Sequence, residues 1–461
     1  MTEISQTTET GTASAWSERL AVAFSFILIF AFNSVDNAIA PMVGPISRHF
    51  GVAEARALWL ISFCSGGTVV GLFFGPSLLQ AVPAKRCLAY VTALLAGTQV
   101  LFALSDSFAI ANTMRCLAGF GAGLVASVMW QLTFHGVSKA YFPAMIAVLM
   151  SARPLATAIG VPLAGLMAFN FSWQLPIWVI AALTGVSGLM LYRFYPAVPA
   201  RPAAEQAAPA PEDAEAAADS SGETAKENDA AKKENTGAAK EQPEKEHDEH
   251  TAETAAPKNE KCGLLMRILK PYGTALAAPY ACAYYLGTTI NRMAYFGFYS
   301  FCGIWFAEHY GLNLKDISYA LLVIGLTEAA VNFTTNRIIG RFGHKTTFLT
   351  SLGLSALILP LFIFGGLSLK GAVALIAVFM LLDRVYSMAL VISVPKMFPI
   401  KGDMTAFGSL NTLTAWGAMC VIAWLQGLLG GYGIACLEGL ILGCFFVGAA
   451  ALIYVQKKTV F

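Results

Sequence analysis

Long apolar runs separated by short polar connections set the pattern of the whole chain. Crossing a hydrocarbon core takes about 20 apolar residues in helical form. Twelve runs meet that length: 20–40, 57–80, 87–104, 108–134, 143–169, 175–195, 275–306, 317–336, 346–367, 371–394, 405–424 and 433–455. Between the sixth and seventh the pattern stops. Residues 196–262 are rich in Ala, Glu, Lys, Pro and Thr and hold almost no large apolar side chain. Such a stretch buries too little surface to offset the entropy of ordering it, so it reads as a disordered loop. The pattern predicts an all-α polytopic membrane protein with 12 transmembrane helices in two six-helix pseudo-repeat bundles. The expected segments are a tail over 1–19, a first bundle over 20–195, the acidic loop over 196–262, a second bundle over 263–455 and a tail over 456–461. The second bundle opens on GLLMRILKPY (263–272), read as a short amphipathic helix at the interface.

Composition sharpens the class. Hydrophobic residues make up 56% and charged residues 13% of 461, with mean hydropathy +0.61, where a soluble domain holds about 25% charged residues. The central loop carries 16 acids and 8 bases, the remainder 12 acids and 22 bases. These bases are scattered between apolar runs, which speaks against a nucleic-acid partner. Residues 1–18 are polar, with Glu3, Glu9 and Glu18, and lack the basic start of a signal peptide, so the first run is read as a span.

The bases orient the chain. With both termini cytoplasmic, fourteen Lys and Arg in the connections outside the central loop fall on the cytoplasmic side and only Arg48, Arg56, Lys315 and Lys370 on the other. The nine cysteines include no C-x-x-C pair and read as free thiols. Residues 246–250 (EHDEH) could hold a metal ion but read more simply as solvated tract, so no metal or cofactor is expected.

Charges inside the spans are the informative residues. A guanidinium keeps its charge in a protein, and placing it in hydrocarbon costs at least ~2.5 kcal/mol. Four arginines lie within spans: Arg115, Arg153, Arg292 and Arg384. Asp36, Glu328 and Asp383 are the acids at depth. Asp36 and Arg115 lie within ~3 Å of the same depth by helical rise, which lets them pair where their spans are neighbours. Arg153 could meet an anionic group of a substrate or neutralise Glu328. Glu438 reads as peripheral. Candidates for a cavity wall are Arg153, Arg292, Arg384, Tyr284, Asn291, Tyr295, Trp130, Gln131, Asn332, Asn411 and Trp416. Tyr280 and Tyr299 fit an interface belt at least as well.

Several motifs give these residues a context. VDNAIAPMVGPISRHFGV (35–52) is followed by Trp59. Arg115 is followed by Gly119, Gly121, Ala122 and Gly123. GVPLAGLMAFNFSW (160–173) places Gly160, Pro162 and Gly165 on the fifth run. GRFGHK holds Gly340, Arg341, Gly343 and Lys345. With these the chain resembles the major facilitator superfamily, and within it the 12-span drug:proton antiporters of multidrug and sugar efflux. Leu79 and Gln80 stand where that group carries an acid and an arginine in the first loop, and Val161 stands where a glycine is usual.

The resemblance implies the major facilitator fold, alternating access and proton coupling through Asp36, Arg115, Glu328 and Asp383. It also implies gating or packing roles for Gly119, Gly123, Gly160, Pro162, Gly165 and the GRFGHK residues. Small residues let helices approach closely, which suits an interface between the halves. The expected function is a monomeric inner-membrane exporter, with protons, a small organic molecule and the lipid bilayer as partners. An uptake symporter of the same fold and a non-transporting sensor acting through the central loop are the alternatives. The four arginines favour substrates with an acidic group. No phosphate-binding glycine loop or catalytic constellation appears, so no enzyme activity is expected.

Overall fold

The computed structural model describes residues 2–135, 138, 141–194, 272–273, 275–332, 334–398 and 405–459. The central loop, its 246–250 run and nearly all of the lead-in at 263–272 lie outside the described residues. Within them the chain is helical throughout, with no strand. Ten helices are long and apolar enough to cross a bilayer. The seventh and eighth spans, Ala281–Tyr310 and Leu314–Asn332, have the length but carry more polar side chains, among them Asn291, Arg292 and Glu328. Large apolar side chains on the outside of the bundle, such as Leu286, Leu357 and Val447, are exposed in the way a lipid-facing surface requires.

Prolines account for the breaks within the first and fifth spans. The first span was expected to end at residue 40. It runs instead as Thr2–Asn37, breaks at Ala38 and continues as Ile39–Phe50 to a left-handed Gly51. Pro41 lacks an N–H, and its ring presses on the carbonyl four residues back, that of Asn37. Asn33 and Ser34 also turn their side chains onto carbonyls one turn earlier, those of Ile29 and Phe30, which loosens the same segment. The fifth span is built likewise. Phe142–Leu155 passes into a π-helical turn, Ala156–Gly160, and then Val161–Asn170. Pro162 sits four residues after Ala158 and removes the bond that an α-turn would make there. The eighth span ends at Asn332, not near 336, and a separate short helix, Thr335–Phe342, takes in the start of the GRFGHK stretch and is closed by Gly343 at φ 80, after which His344 and Lys345 begin the ninth span.

The first bundle is drawn together by a glycine zipper. The second span, Trp59–Ala81, crosses the fourth, Phe108–His135. A Cβ on Gly119 would lie 1.8 Å from the Cys64 carbonyl oxygen, and one on Gly123 would lie 2.4 Å from that of Thr68. From the facing helix, Gly67 and Gly71 meet Cys116 and Phe120, and Gly75 meets Ser127. Backbone therefore touches backbone over two turns.

The two bundles meet on the face away from the chain ends. Trp59 donates through Nε1 to the Trp424 carbonyl (3.2 Å), and Ser62 donates to that of Cys420 (2.7 Å). Gly165 faces Ser318, Gly303 faces the Ala40 carbonyl, and Gly325 faces Ala158. The first span thus meets the seventh, the second the eleventh (Thr405–Leu429) and the fifth the eighth. Toward the chain ends from these contacts lies a central cavity lined from both halves.

Candidate functional site

The central cavity has two compartments. One, of about 90 Å³, is lined by Arg153, Arg292, Asp383 and Arg384 together with Asn37, Thr157, Tyr295, Phe296, Tyr299 and Ser387. The other, of about 140 Å³, is mostly apolar and lies between Phe32, Leu72, Met129, Trp130, Thr412 and Trp416. Arg153 lines both. It starts the irregular part of the fifth span, so the π-turn and Pro154 aim this segment at the cavity rather than at lipid. Its guanidinium stacks on Trp416 at 4.8 Å. On the side toward the chain ends, Trp130 and Thr412 remain exposed in the cavity wall.

Two polar clusters organise the second bundle's side of the cavity. In the first, Glu328 of the eighth span pairs with Arg384 of the tenth (Leu369–Met397) and accepts from the Tyr295 hydroxyl at 2.9 Å. Glu328 is 3% exposed. Its partner is therefore Arg384 rather than Arg153. In the second cluster the Tyr386 hydroxyl reaches both Asn291 Oδ1, at 2.7 Å, and Asp383 Oδ1. The Asn291 amide nitrogen points to the Phe445 carbonyl, so its oxygen is the atom facing Tyr386. Arg292 donates to the backbone and side-chain oxygens of Asn411, at 3.3 Å each.

Other predicted residues lie elsewhere. Tyr284 is wholly buried against Tyr285 and Phe398 and does not line the cavity. Asn291 is also packed inside the bundle, against Gly448 of the twelfth span. The seventh span is aromatic around its whole circumference, so composition could not tell its cavity face from its packed face. Tyr299, which fitted an interface belt, is buried and lines the cavity. Gln131 is half-buried and lies outside both linings. The side chains of Asp36 and Asn332 lie outside the described residues. Arg115 is fully buried, donates through Nε to the Leu60 carbonyl at 3.3 Å and lies over the Phe102 ring. It belongs to the zipper between second and fourth spans, not to the cavity wall.

Among the small residues, Gly160 faces Ser34 within its own bundle, whereas Gly165 touches the other one. Pro162 is buried in the fifth span. A Cβ on Gly340 would meet no described atom within 4 Å, so no close helix contact explains that glycine. Arg341 lies over the ring of Phe342, and Lys345 opens the ninth span beside His344. Glu438, expected at the periphery, is 4% exposed. It accepts from Trp305 Nε1 at 2.8 Å and pairs with His309 at 3.3 Å. Tyr386 and Thr157 were missed. A tyrosine three residues after a buried aspartate, on the same helix face, is the signal that could have found the first.

Comparison with known proteins agrees with this architecture. The chain is 19% identical to the uncharacterized MFS-type transporter YceJ of Bacillus subtilis (strain 168), over 71% of this chain and 68% of that protein. It is 22% identical to the putative transporter AraJ of Escherichia coli (strain K12), over 37% of this chain and 43% of that one. It is also 22% identical to a probable sugar efflux transporter of Helicobacter pylori (strain G27), over 39% of this chain and 46% of that one. The matches to the last two thus span less than half of their lengths. The sequence model of the Major Facilitator Superfamily matches residues 22–271, more than half of this multi-pass membrane protein, and the chain belongs to that superfamily.

Proposed function

We propose that this secondary transporter is proton-coupled and exports a small organic molecule across the inner membrane by alternating access. The observation that carries proton coupling is the position of the Tyr386 hydroxyl between two oxygen acceptors. A phenol has one hydrogen to donate. Where it serves Asn291, the contact to Asp383 needs a proton on the carboxyl. Where it serves Asp383, the Asn291 oxygen loses this donor. Asp383 is buried and lines the cavity. Loss or gain of one proton there rearranges the bonds between the seventh and tenth spans, which is the kind of two-state element alternating access uses.

Export and orientation rest on further support. The excess of bases on the chain-end face fits a cytoplasmic side. The cavity, sealed on the other face by the Trp59 and Ser62 contacts, then corresponds to a cytoplasm-facing state ready to load. The efflux named for the Helicobacter pylori relative points the same way. Gly165 and Gly325 sit where the seal must open, which suits a gating role for the fifth and eighth spans. A second reading, movement of substrate and proton together, is favoured by the arginines of the cavity, because a proton and an anion support one another's binding there.

The test uses inside-out vesicles energised to hold a pH gradient, reported by acridine orange. Solutes that run down the gradient in vesicles with the protein, but not without it, identify transported molecules. Asp383→Asn should abolish that response at equal protein level, and Asp383→Glu should retain part of it. A full response from Asp383→Asn overturns the role of Asp383.

A further inference from the structure

Of the four guanidinium groups inside the membrane, two are used by the protein itself. Arg115 is sealed in the first bundle between the Leu60 carbonyl and Phe102. Arg384 is neutralised by Glu328. Arg153 and Arg292 are different. Among the described residues neither takes part in an ion pair. Arg153 lies over the face of Trp416, and Arg292 has two 3.3 Å bonds to the uncharged Asn411. Both line the same small compartment, one from each bundle. Among the described residues, with the Arg384–Glu328 pair neutral, the compartment is lined by two positive groups against the one carboxylate of Asp383. The described lining groups sum to a positive charge whether Asp383 is ionised or protonated.

We propose that the substrate is an amphipathic organic monoanion whose carboxylate binds between Arg153 and Arg292. This rests on the transporter reading above and names its substrate class. A planar guanidinium fork matches a carboxylate better than any other protein cation. The body of the molecule extends past Arg153 into the apolar compartment, where Phe32, Met129 and Trp130 offer rings and aliphatic surface. The shared lining by Arg153 makes the two compartments one site with a charged end and an apolar end. The placement also links binding to movement. Across an interface two guanidinium groups repel each other in a site shielded from water. An anion between them turns that repulsion into a bridge, so the halves close around a loaded site more readily than around an empty one.

The test measures binding to the purified full-length protein by calorimetry, with benzoate, 4-hydroxyphenylacetate and indole-3-acetate as probes. Each is paired with its neutral amide, and tryptamine serves as the cation. The acids should bind at least about tenfold more tightly than their amides. Arg153→Gln and Arg292→Gln should each bring the acid down to the affinity of its amide in the same variant, while Arg153→Lys and Arg292→Lys keep most of the acid's advantage. Chloride and inorganic phosphate should compete weakly. The proposal is overturned if amides or tryptamine bind as tightly as the acids. It is also overturned if no acid binds saturably, if the glutamine variants bind like the parent, or if inorganic anions displace the acids stoichiometrically. Counterflow in proteoliposomes separates the two claims. An acid that binds but is not exchanged leaves the substrate class standing and the transporter reading broken. A neutral or cationic solute driven by the pH gradient does the reverse.

Discussion

The second and fourth spans of the first bundle and the eighth and tenth of the second occupy matching places and are joined in opposite ways. In the first bundle the helices touch through glycine, with Gly119 and Gly123 against the carbonyls of Cys64 and Thr68. In the second bundle the link is the Glu328–Arg384 ion pair, supported by Tyr295. A backbone-to-backbone contact has no alternative partner and no titratable atom. An ion pair has both. The same architecture therefore holds one stiff half and one half whose internal bonds can be exchanged for bonds to a proton or a solute. The charge on the fourth span illustrates the difference. Arg115 is held at the contact of the second and fourth spans, while Arg292, Asp383 and Arg384 of the second bundle line the cavity, met from the first bundle by Arg153 of the fifth span.

The largest effect expected from this contrast is on folding. Gly119→Leu puts four carbon atoms where the first would already overlap the Cys64 carbonyl oxygen, and the neighbouring atoms are backbone. Gly123→Leu meets Thr68 and Leu72 in the same way. Overpacking a well-packed site costs about 1–3 kcal/mol, more where backbone must move. Each variant should lose most of its monodisperse peak in detergent size-exclusion chromatography. Gly353→Leu, at a glycine with no atom within 4 Å, is the control and should elute like the parent. If Gly119→Leu elutes normally, the first bundle is not the stiff half.

The ion pair should behave differently under the same kind of test. Removing one partner of a buried pair leaves the other uncompensated, at a cost of about 3–5 kcal/mol in soluble proteins. Arg384 opens onto the cavity and Glu328 does not, so the two single losses are unequal. Arg384→Gln, which strands the buried carboxylate, should lower the melting temperature more than Glu328→Gln. The double variant should recover most of the loss, since two neutral amides can bond to each other. Thermal unfolding of the purified proteins followed by tryptophan fluorescence reads this directly. Additive losses in the double variant would make the pair incidental and remove the contrast between the bundles.

Much of this was legible before any coordinates. The spacing of apolar runs gives the spans, and isolated charges at depth mark Arg115, Arg153, Arg292, Glu328, Asp383 and Arg384. What the sequence lacks is azimuth. Depth along a helix follows from counting residues, but the direction a side chain takes depends on breaks such as those at Pro41 and Pro162, which rotate everything beyond them. Arg153 was a candidate neutraliser of Glu328, and only the packing of the eighth span on the tenth shows that Arg384 pairs with it. Glu438 was misjudged for a related reason. Nearness to the end of a span says nothing about a Trp305 and a His309 arriving from the seventh.

The smallest effect tests the seal where the two halves meet. Trp59 lies flat against the eleventh span because residue 427 is glycine; a Cβ there would sit 2.2 Å from the indole nitrogen. From this position it donates to the Trp424 carbonyl at 3.2 Å, one turn from the Ser62–Cys420 contact. Trp59→Phe keeps a ring in place and removes the donor, a loss of about 0.5–1.5 kcal/mol. That is enough to raise the opened population by up to about tenfold. In a variant retaining Cys420 as its one cysteine, the rate of alkylation by a membrane-impermeant maleimide from the sealed face should rise by that factor. Ser62→Ala, which removes a shorter bond to the same helix, should act in the same direction and add to it. If Cys420 labels at the parental rate in both variants, the halves are not held together by these two hydrogen bonds. The close packing of Gly165 on Ser318 and of Gly303 on Ala40 would then carry the closure, and the stiffness of the first bundle would extend across the interface into the second.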